Sequence, residues 1–199
     1  ASEYPTRIAA EVKDFDAAAL LGRREARRMD RFTQFAMAAL EQAHFQAGQV
    51  VNPAEPYRVG AYIGSGVGGI DTYTRELNTL TAKGPRRVNP FLIPSITVDV
   101  PSVQVAIRTG ACGPNLGVAS ACATGADALG LSFELIRSGR VDAMFTGGVE
   151  AAVTPIGIAA FDRMRALSHR PGRKIDARLR GNQDRADLRI AHPCDAQKP

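Results

Sequence analysis

The chain has only three cysteines among its 199 residues. An odd, small number excludes a disulfide framework, and Cys112, Cys122 and Cys194 do not pair with any of the three histidines at zinc-ligand spacing, so no metal is expected. Long apolar runs are also missing. None approaches the ~18 residues of a membrane span, and the opening Ala1-Ser2-Glu3-Tyr4-Pro5 lacks the charged and apolar regions of a signal peptide. No internal repeat is present. These absences point to a soluble globular chain of a reducing cytoplasm, away from membranes, and 45% hydrophobic content allows it a sizeable core.

A surplus of one charge sign is nearly absent too, once its location is known. The net charge of +5 and pI near 9.4 suggest a nucleic-acid binder at first sight. Beyond residue 168, however, the chain carries 8 Lys/Arg against 4 Asp, whereas the residues before it carry 17 against 16 acidic groups. The basicity belongs mostly to the tail. No aromatic residues interleave it as a stacking platform requires, so nucleic acid is not an expected partner.

What the chain does have is concentrated around residues 113–125. A short apolar run, 116–119, reads as a buried strand that passes through Ser120 and Ala121 into Cys122 at the mouth of a helix. Leu129, Phe133 and Ile136 then recur at helical spacing until Ser138-Gly139, and 141–145 reads as a second buried strand ending at Gly147-Gly148. A thiolate is favoured where unpaired N–H groups and the positive end of a helix dipole meet it. Cys122 is therefore a candidate nucleophile, with a buried structural cysteine as the equal alternative on spacing alone.

Elsewhere, 30–46 reads as an amphipathic helix with Phe32, Phe35, Ala36, Ala39, Leu40 and Ala43 on its apolar face, ended by Gly48. Residues 59–63 read as a strand, 70–80 as a helix and 88–96 as an irregular, proline-rich segment. This alternation predicts an α/β layer with a mostly parallel sheet. Gly64, Gly66 and Gly69 satisfy G-x-G-x-x-G, but no acidic residue stands about 20 positions further on, so a dinucleotide site and its cofactor are not expected. Arg23, Arg24, Arg27, Arg28 and Arg31 crowd the start of the long helix, where positive charge opposes the dipole and some compensation is required. Cys112 reads as a packing residue, His44 as a surface or boundary residue, and Glu150 as a structural hydrogen-bonding carboxylate.

Several motifs occur in a shared order: Val12-Lys13-Asp14-Phe15, Arg28-Met29-Asp30, residues 63–69, Asn89-Pro90-Phe91 and Gly113-Pro114-Asn115. They continue with Ser120-Ala121-Cys122-Ala123-Thr124-Gly125-Ala126, Gly147-Gly148-Val149-Glu150-Ala151 and Arg165-Ala166-Leu167-Ser168. In these the chain resembles the β-ketoacyl-acyl-carrier-protein synthases of the type I/II group, closest to synthase II, which are condensing enzymes of the thiolase fold. The resemblance implies the N-terminal half of that fold, an incomplete α/β/α sandwich over residues 1–168. It implies Cys122 as the acyl-accepting nucleophile, Val67 and Phe161 on the acyl pocket, and Arg24, Arg27, Arg28, Arg86, Arg87 and Arg165 as a docking patch for acidic acyl carrier protein in its acyl and malonyl forms. Such docking is electrostatic and salt-sensitive.

The activity implied is decarboxylative condensation of an acyl thioester with malonyl-carrier protein in fatty acid elongation, by a complete enzyme that is a homodimer. The two histidines, the lysine and the second oxyanion donor belong to the family's other half, and no residue here matches them, so the chain alone is expected to be impaired. The alternatives are a non-catalytic fragment that binds acyl carrier protein or a partner subunit, and a piece of a polyketide ketosynthase. A cysteine hydrolase would need a histidine beside Cys122, such as His44. Residues 169–199 depart from the family as a polar, basic tail, disordered or the product of a frameshift, and its His169 and His192 match no family motif. A lone half should expose an apolar layer that the other half covers.

Overall fold

The computed structural model describes residues 4–169 apart from Gln49 and Pro53. An N-terminal arm leads into two short helices, α1 (Ala17–Leu21) and α2 (Arg23–Ala26), and then the long α3 (Arg31–Ala47). β1 (Val59–Gly64) follows, then α4 (Ile70–Lys83), the single turn α5 (Leu92–Ile96), α6 (Val100–Thr109), β2 (Asn115–Leu116), α7 (Thr124–Arg137), β3 (Ala143–Gly148) and α8 (Pro155–Arg163). The three strands form a parallel sheet in the order β2-β1-β3, with Val59 opposite Ala143 and Gly64 opposite Gly148. Parallel neighbours need crossovers, and α7 is the one that returns the chain from β2 to β3.

Strand alternation decides what each face meets. Ala61, Ile63 and Phe145 point to one side, where Met37 and Leu40 of α3, Val105 of α6 and Leu21 of α1 close the core. Gly60, Gly64, Met144 and Gly148 point to the other, toward α7. The result is an α/β/α sandwich.

The Asp30 side chain starts two helices at once. It is 2% exposed, one carboxylate oxygen accepts from the Phe32 N–H at 3.2 Å, and the other accepts from the Thr72 N–H at 2.9 Å in the first turn of α4. Orphan donors of both helix N-termini are thereby satisfied. The same carboxylate offsets the arginines that crowd this point. Arg31 is further accommodated against the edge-to-face pair of Phe15 and Phe35, 5.6 and 4.9 Å from their centroids, while its Nη2 donates to the Val12 carbonyl at 3.1 Å.

Several expectations need correction. The 116–119 run is not a buried strand: only Asn115 and Leu116 pair, and both are exposed. The reason is Ser102, fully buried on α6, whose Oγ accepts from the Ile63 N–H at 2.7 Å and lies 2.9 Å from the carbonyls of Ile63 and Leu116, ending the ladder there. The second strand begins at Ala143 rather than Val141 and is half-buried, because β3 is an edge strand whose pairing starts opposite Val59. On α3 the buried positions are Phe32, Thr33, Ala36, Met37 and Leu40; Ala39 and Ala43 instead border an open groove of about 520 Å³ beside β3. The 88–96 segment is not wholly irregular, since α5 forms in it. Cys112 is exposed rather than packed, held in place by its backbone N–H to the Pro56 carbonyl.

The crossover helix α7 inverts the usual pattern. Its buried side is Thr124, Ala128 and Ser132, while Leu129, Phe133 and Ile136 are 55, 61 and 42% exposed. Small residues face the sheet because the backbones nearly touch. A Cβ on Gly148 would come within 2.8 Å of the Gly125 Cα.

Candidate active site

Cys122 sits in a single tight turn, residues 121–123, that runs directly into α7. Thr124 builds that turn: its Oγ1 accepts from the Ser120 N–H at 2.9 Å and donates to the Ala121 carbonyl at 2.8 Å. Ala121 has φ of +52°, a left-handed conformation that costs an L-residue about 1–2 kcal/mol. The chain before it is pressed against β1, where a Cβ on Gly64 would meet the Val118 carbonyl oxygen at 1.9 Å. This confinement holds Ala121 in its strained state and turns Cys122 outward, where the residue is exposed.

The thiol opens on a cavity of about 560 Å³ whose lining includes Val67, Gly148, Glu150, Phe161 and Met164. Phe161 lies on α8 and Met164 caps its C-terminus one turn on; the helix start is set by Thr154, with its Oγ1 accepting from the Gly157 N–H at 3.1 Å, and by Pro155 at the first helical position. Cys122, Val67 and Phe161, three residues far apart in sequence, thus border one space. Its walls are mostly apolar, with Ser65, Thr124 and Glu150 as the polar residues beside the thiol, a lining suited to holding an apolar chain next to Cys122.

The glycine loop between β1 and α4 forms the other wall. Glu150 Oε2 accepts from the N–H groups of Gly66 and Val67 at 2.9 and 3.1 Å, and Ser65 Oγ lies 3.1 and 3.2 Å from the two carboxylate oxygens while accepting from the Gly68 N–H at 2.8 Å. The Gly69 N–H goes to the Ile96 carbonyl at 3.0 Å. A phosphate-cradling loop needs these donors free, and here the protein consumes them itself, which excludes the dinucleotide reading.

The arginines divide into separate places. Arg24, Arg27 and Arg28 border a surface hollow with Arg23, Asn89 and Phe91, and the Arg28 guanidinium lies 4.8 Å over the Phe91 ring. Arg87 borders another with Lys83 and Glu76, and Arg86 is exposed beside it. Asn89 links the two, since its N–H donates to Glu76 Oε2 at 2.8 Å. Arg165 is exposed just past α8 at φ +59°, where its N–H and that of Ala166 close on the carbonyls of Asp162 and Phe161.

The histidines lie elsewhere. His44 is half-buried at the boundary and meets the Phe145 ring edge-on at 5.8 Å, and His169 Nε2 is 2.6 Å from the Asp162 carboxylate. Neither borders the Cys122 cavity. His192 and Cys194 fall outside the described residues, as does the tail from 170. Among the described residues no cluster of His, Cys, Asp or Glu could hold a metal ion, and no helix is long and apolar enough to cross a membrane. Ser65 and Met164 were not legible as site residues. Met164 had a faint signal in its three-residue spacing from Phe161; Ser65 had none, because its partner Glu150 is 85 positions away.

Comparison with known proteins agrees with this geometry. The sequence model described as "Beta-ketoacyl synthase, N-terminal domain" matches residues 2–181. A 3-oxoacyl-[acyl-carrier-protein] synthase 2 of Staphylococcus aureus is 44% identical over 165 residues, 83% of this chain and 41% of the relative. One from Synechocystis is 42% identical over 185 residues, 93% of this chain and 44% of the relative. Among solved structures, a β-ketoacyl synthase from Burkholderia phymatum superposes with a TM-score of 0.73 at 28% identity, covering 84% of this chain and 41% of that one. A type II polyketide ketosynthase solved with its acyl-carrier protein superposes at 0.75 and 23% identity, over 81% of this chain and 46% of that one. The chain therefore spans about two-fifths of the length of the curated relatives it matches. With a thiol presented on a strained turn at the head of α7 and a family match over nearly the whole sequence, the chain belongs to the β-ketoacyl synthases and carries their N-terminal domain, an incomplete thiolase-like α/β fold.

Proposed function

We propose that this chain is the acyl-accepting part of a 3-oxoacyl-acyl-carrier-protein synthase acting in fatty acid elongation. The observation that carries the reading is Cys122, exposed at the head of α7 and bordering the cavity that Val67 and Phe161 also line. The Cys122 thiolate attacks the carbonyl carbon of an acyl thioester, the carrier's thiolate leaves, and the acyl group remains on Cys122 Sγ. The Cys122 N–H supplies one donor to the oxyanion. Decarboxylation of malonyl-carrier protein and attack of its carbanion on this thioester fall to the complete enzyme. This chain alone condenses poorly, because the histidines and the lysine that resemblance assigns to the other half have no match here.

Arg24, Arg27, Arg28, Arg86, Arg87 and Arg165 are assigned to docking of the acidic carrier. The spread of the first five across hollows joined through Asn89 supports this, and the polyketide relative was solved with its own carrier bound. The exposed Leu129, Phe133 and Ile136 are assigned to the layer that the rest of the complete, homodimeric enzyme covers. Residues 1–168 are assigned to the domain piece and 169–199 to a divergent tail, with the family match itself running on to residue 181. The exposed thiols of Cys112 and Cys122 suit a cytoplasm that keeps them reduced. Intact-mass analysis after incubation with acyl-carrier protein tests the proposal. Wild type gains one acyl group and Cys122→Ala none; a folded wild type that gains nothing refutes it.

A further inference from the structure

Glu150 draws more donors than an ordinary surface carboxylate. Its oxygens accept from Gly66 and Val67, share the Ser65 hydroxyl and reach the Ala151 N–H at 3.3 Å, so a group at the end of β3 dictates the shape of a loop 85 residues earlier. Among the described residues, no other acceptor holds the Gly66 and Val67 N–H groups. Ser65 is 1% exposed and completes the circuit by accepting from Gly68. Glu150 is also a shared wall: it borders both the Cys122 cavity and a second hollow of about 340 Å³ that includes Glu11, Arg31 and Asp71.

We propose that Glu150 is a positioning residue that fixes the 65–68 loop, and through it Val67, so that chain length is read by the cavity leading to Cys122. This rests on the reading of Cys122 as an acyl acceptor. The physical basis is that a cavity discriminates between chains only if its walls hold still, and the loop has little apolar packing of its own to hold it. Val67 is 43% exposed, and glycines flank it on both sides. Gln at position 150 keeps one oxygen for the Gly66 and Val67 N–H groups but presents an amide to the Ser65 hydroxyl, so it restores the loop in part.

The test uses N-ethylmaleimide and N-octylmaleimide. The thiolate sulfur adds to one alkene carbon, a proton goes to the other, and no group leaves. Peptide mass mapping gives the octyl-to-ethyl rate ratio at Cys122, normalised to the exposed Cys112 in the same chain. Glu150→Ala should lower that ratio by roughly fivefold, and Glu150→Gln by less. In a Val67→Ala background Glu150→Ala should add nothing, because the two act through one wall. An unchanged ratio in a folded Glu150→Ala chain, or effects of the two substitutions that multiply, overturns the proposal. If Glu150→Ala fails to fold, Ser65→Ala removes one donor and reads the same ratio. Should Cys122 take no acyl group from carrier protein while the ratio still falls, the proposed function is lost and the positioning role stands.

Discussion

Replacing Asp30 by alanine removes the one side chain that serves the starts of both α3 and α4. Two hydrogen bonds disappear, to Phe32 N–H and Thr72 N–H. Losing the α3 cap costs about 1 kcal/mol, and stranding the Thr72 donor, whose residue is 5% exposed, costs about 2 kcal/mol more. Arg31 would also face the helix start without its neighbouring anion. The sum, about 3 kcal/mol, corresponds to a fall in melting temperature of about 6–12 °C for a chain of this size. Asp30→Asn keeps one acceptor and turns an amide donor toward the other N–H, so its loss should be about half as large. Circular-dichroism melts of the three chains, with hydrogen exchange at the Thr72 amide, measure this. If Asp30→Ala melts within about 2 °C of wild type, the double cap does not hold these helices together.

Three further outcomes are expected. Ser102→Ala leaves the Ile63 N–H without an acceptor and should cost about 1–3 kcal/mol, read from urea midpoints; a neutral result would mean that β2 re-pairs with β1. Arg165→Gly removes a side chain from a left-handed position and should raise stability by about 0.5–1 kcal/mol, and a lower melting temperature would contradict the φ of +59°. The Arg58 guanidinium is hydrogen-bonded to the Asp142 carboxylate and holds it below the ordinary value near 3.8, chiefly through that hydrogen bond. A depressed folded value means that stability is present above the unfolded value and is lost as pH falls through the folded one. The stability gap between wild type and Asp142→Asn should therefore shrink on acidification below pH about 4, and a gap constant with pH would exclude the pairing.

Elements with a clear apolar period and a glycine stop were legible in the sequence. The helix expected over 30–46 forms at Arg31–Ala47, the one over 70–80 at Ile70–Lys83, and the strand over 59–63 at Val59–Gly64. By contrast α6 and α8 begin at Val100-Pro101 and Pro155, where proline reads equally as a turn, so their helical character was hidden. The failed strand at 116–119 is a tertiary effect. Its apolar pattern is sound, but the Ser102 hydroxyl outcompetes the ladder. The gathering of Cys122, Val67 and Phe161 around one cavity was reachable only through family resemblance, since no local spacing relates residues from three separate elements. The same holds for the grip of Glu150 on Gly66 and Val67.

The inverted face of α7 means that hydropathy is a poor guide to which of its positions tolerate change. Ala128 is fully buried, so a conservative exchange for a larger aliphatic residue there overpacks an interior with no exposed surface to spare. Leu129, next in sequence, stands largely in water, and a charged residue there would be accepted by this chain on its own. Selection acting on the whole enzyme would see the opposite at Leu129 if that surface is covered. The substitution record of one helix, position by position, therefore separates the demands of folding from the demands of assembly.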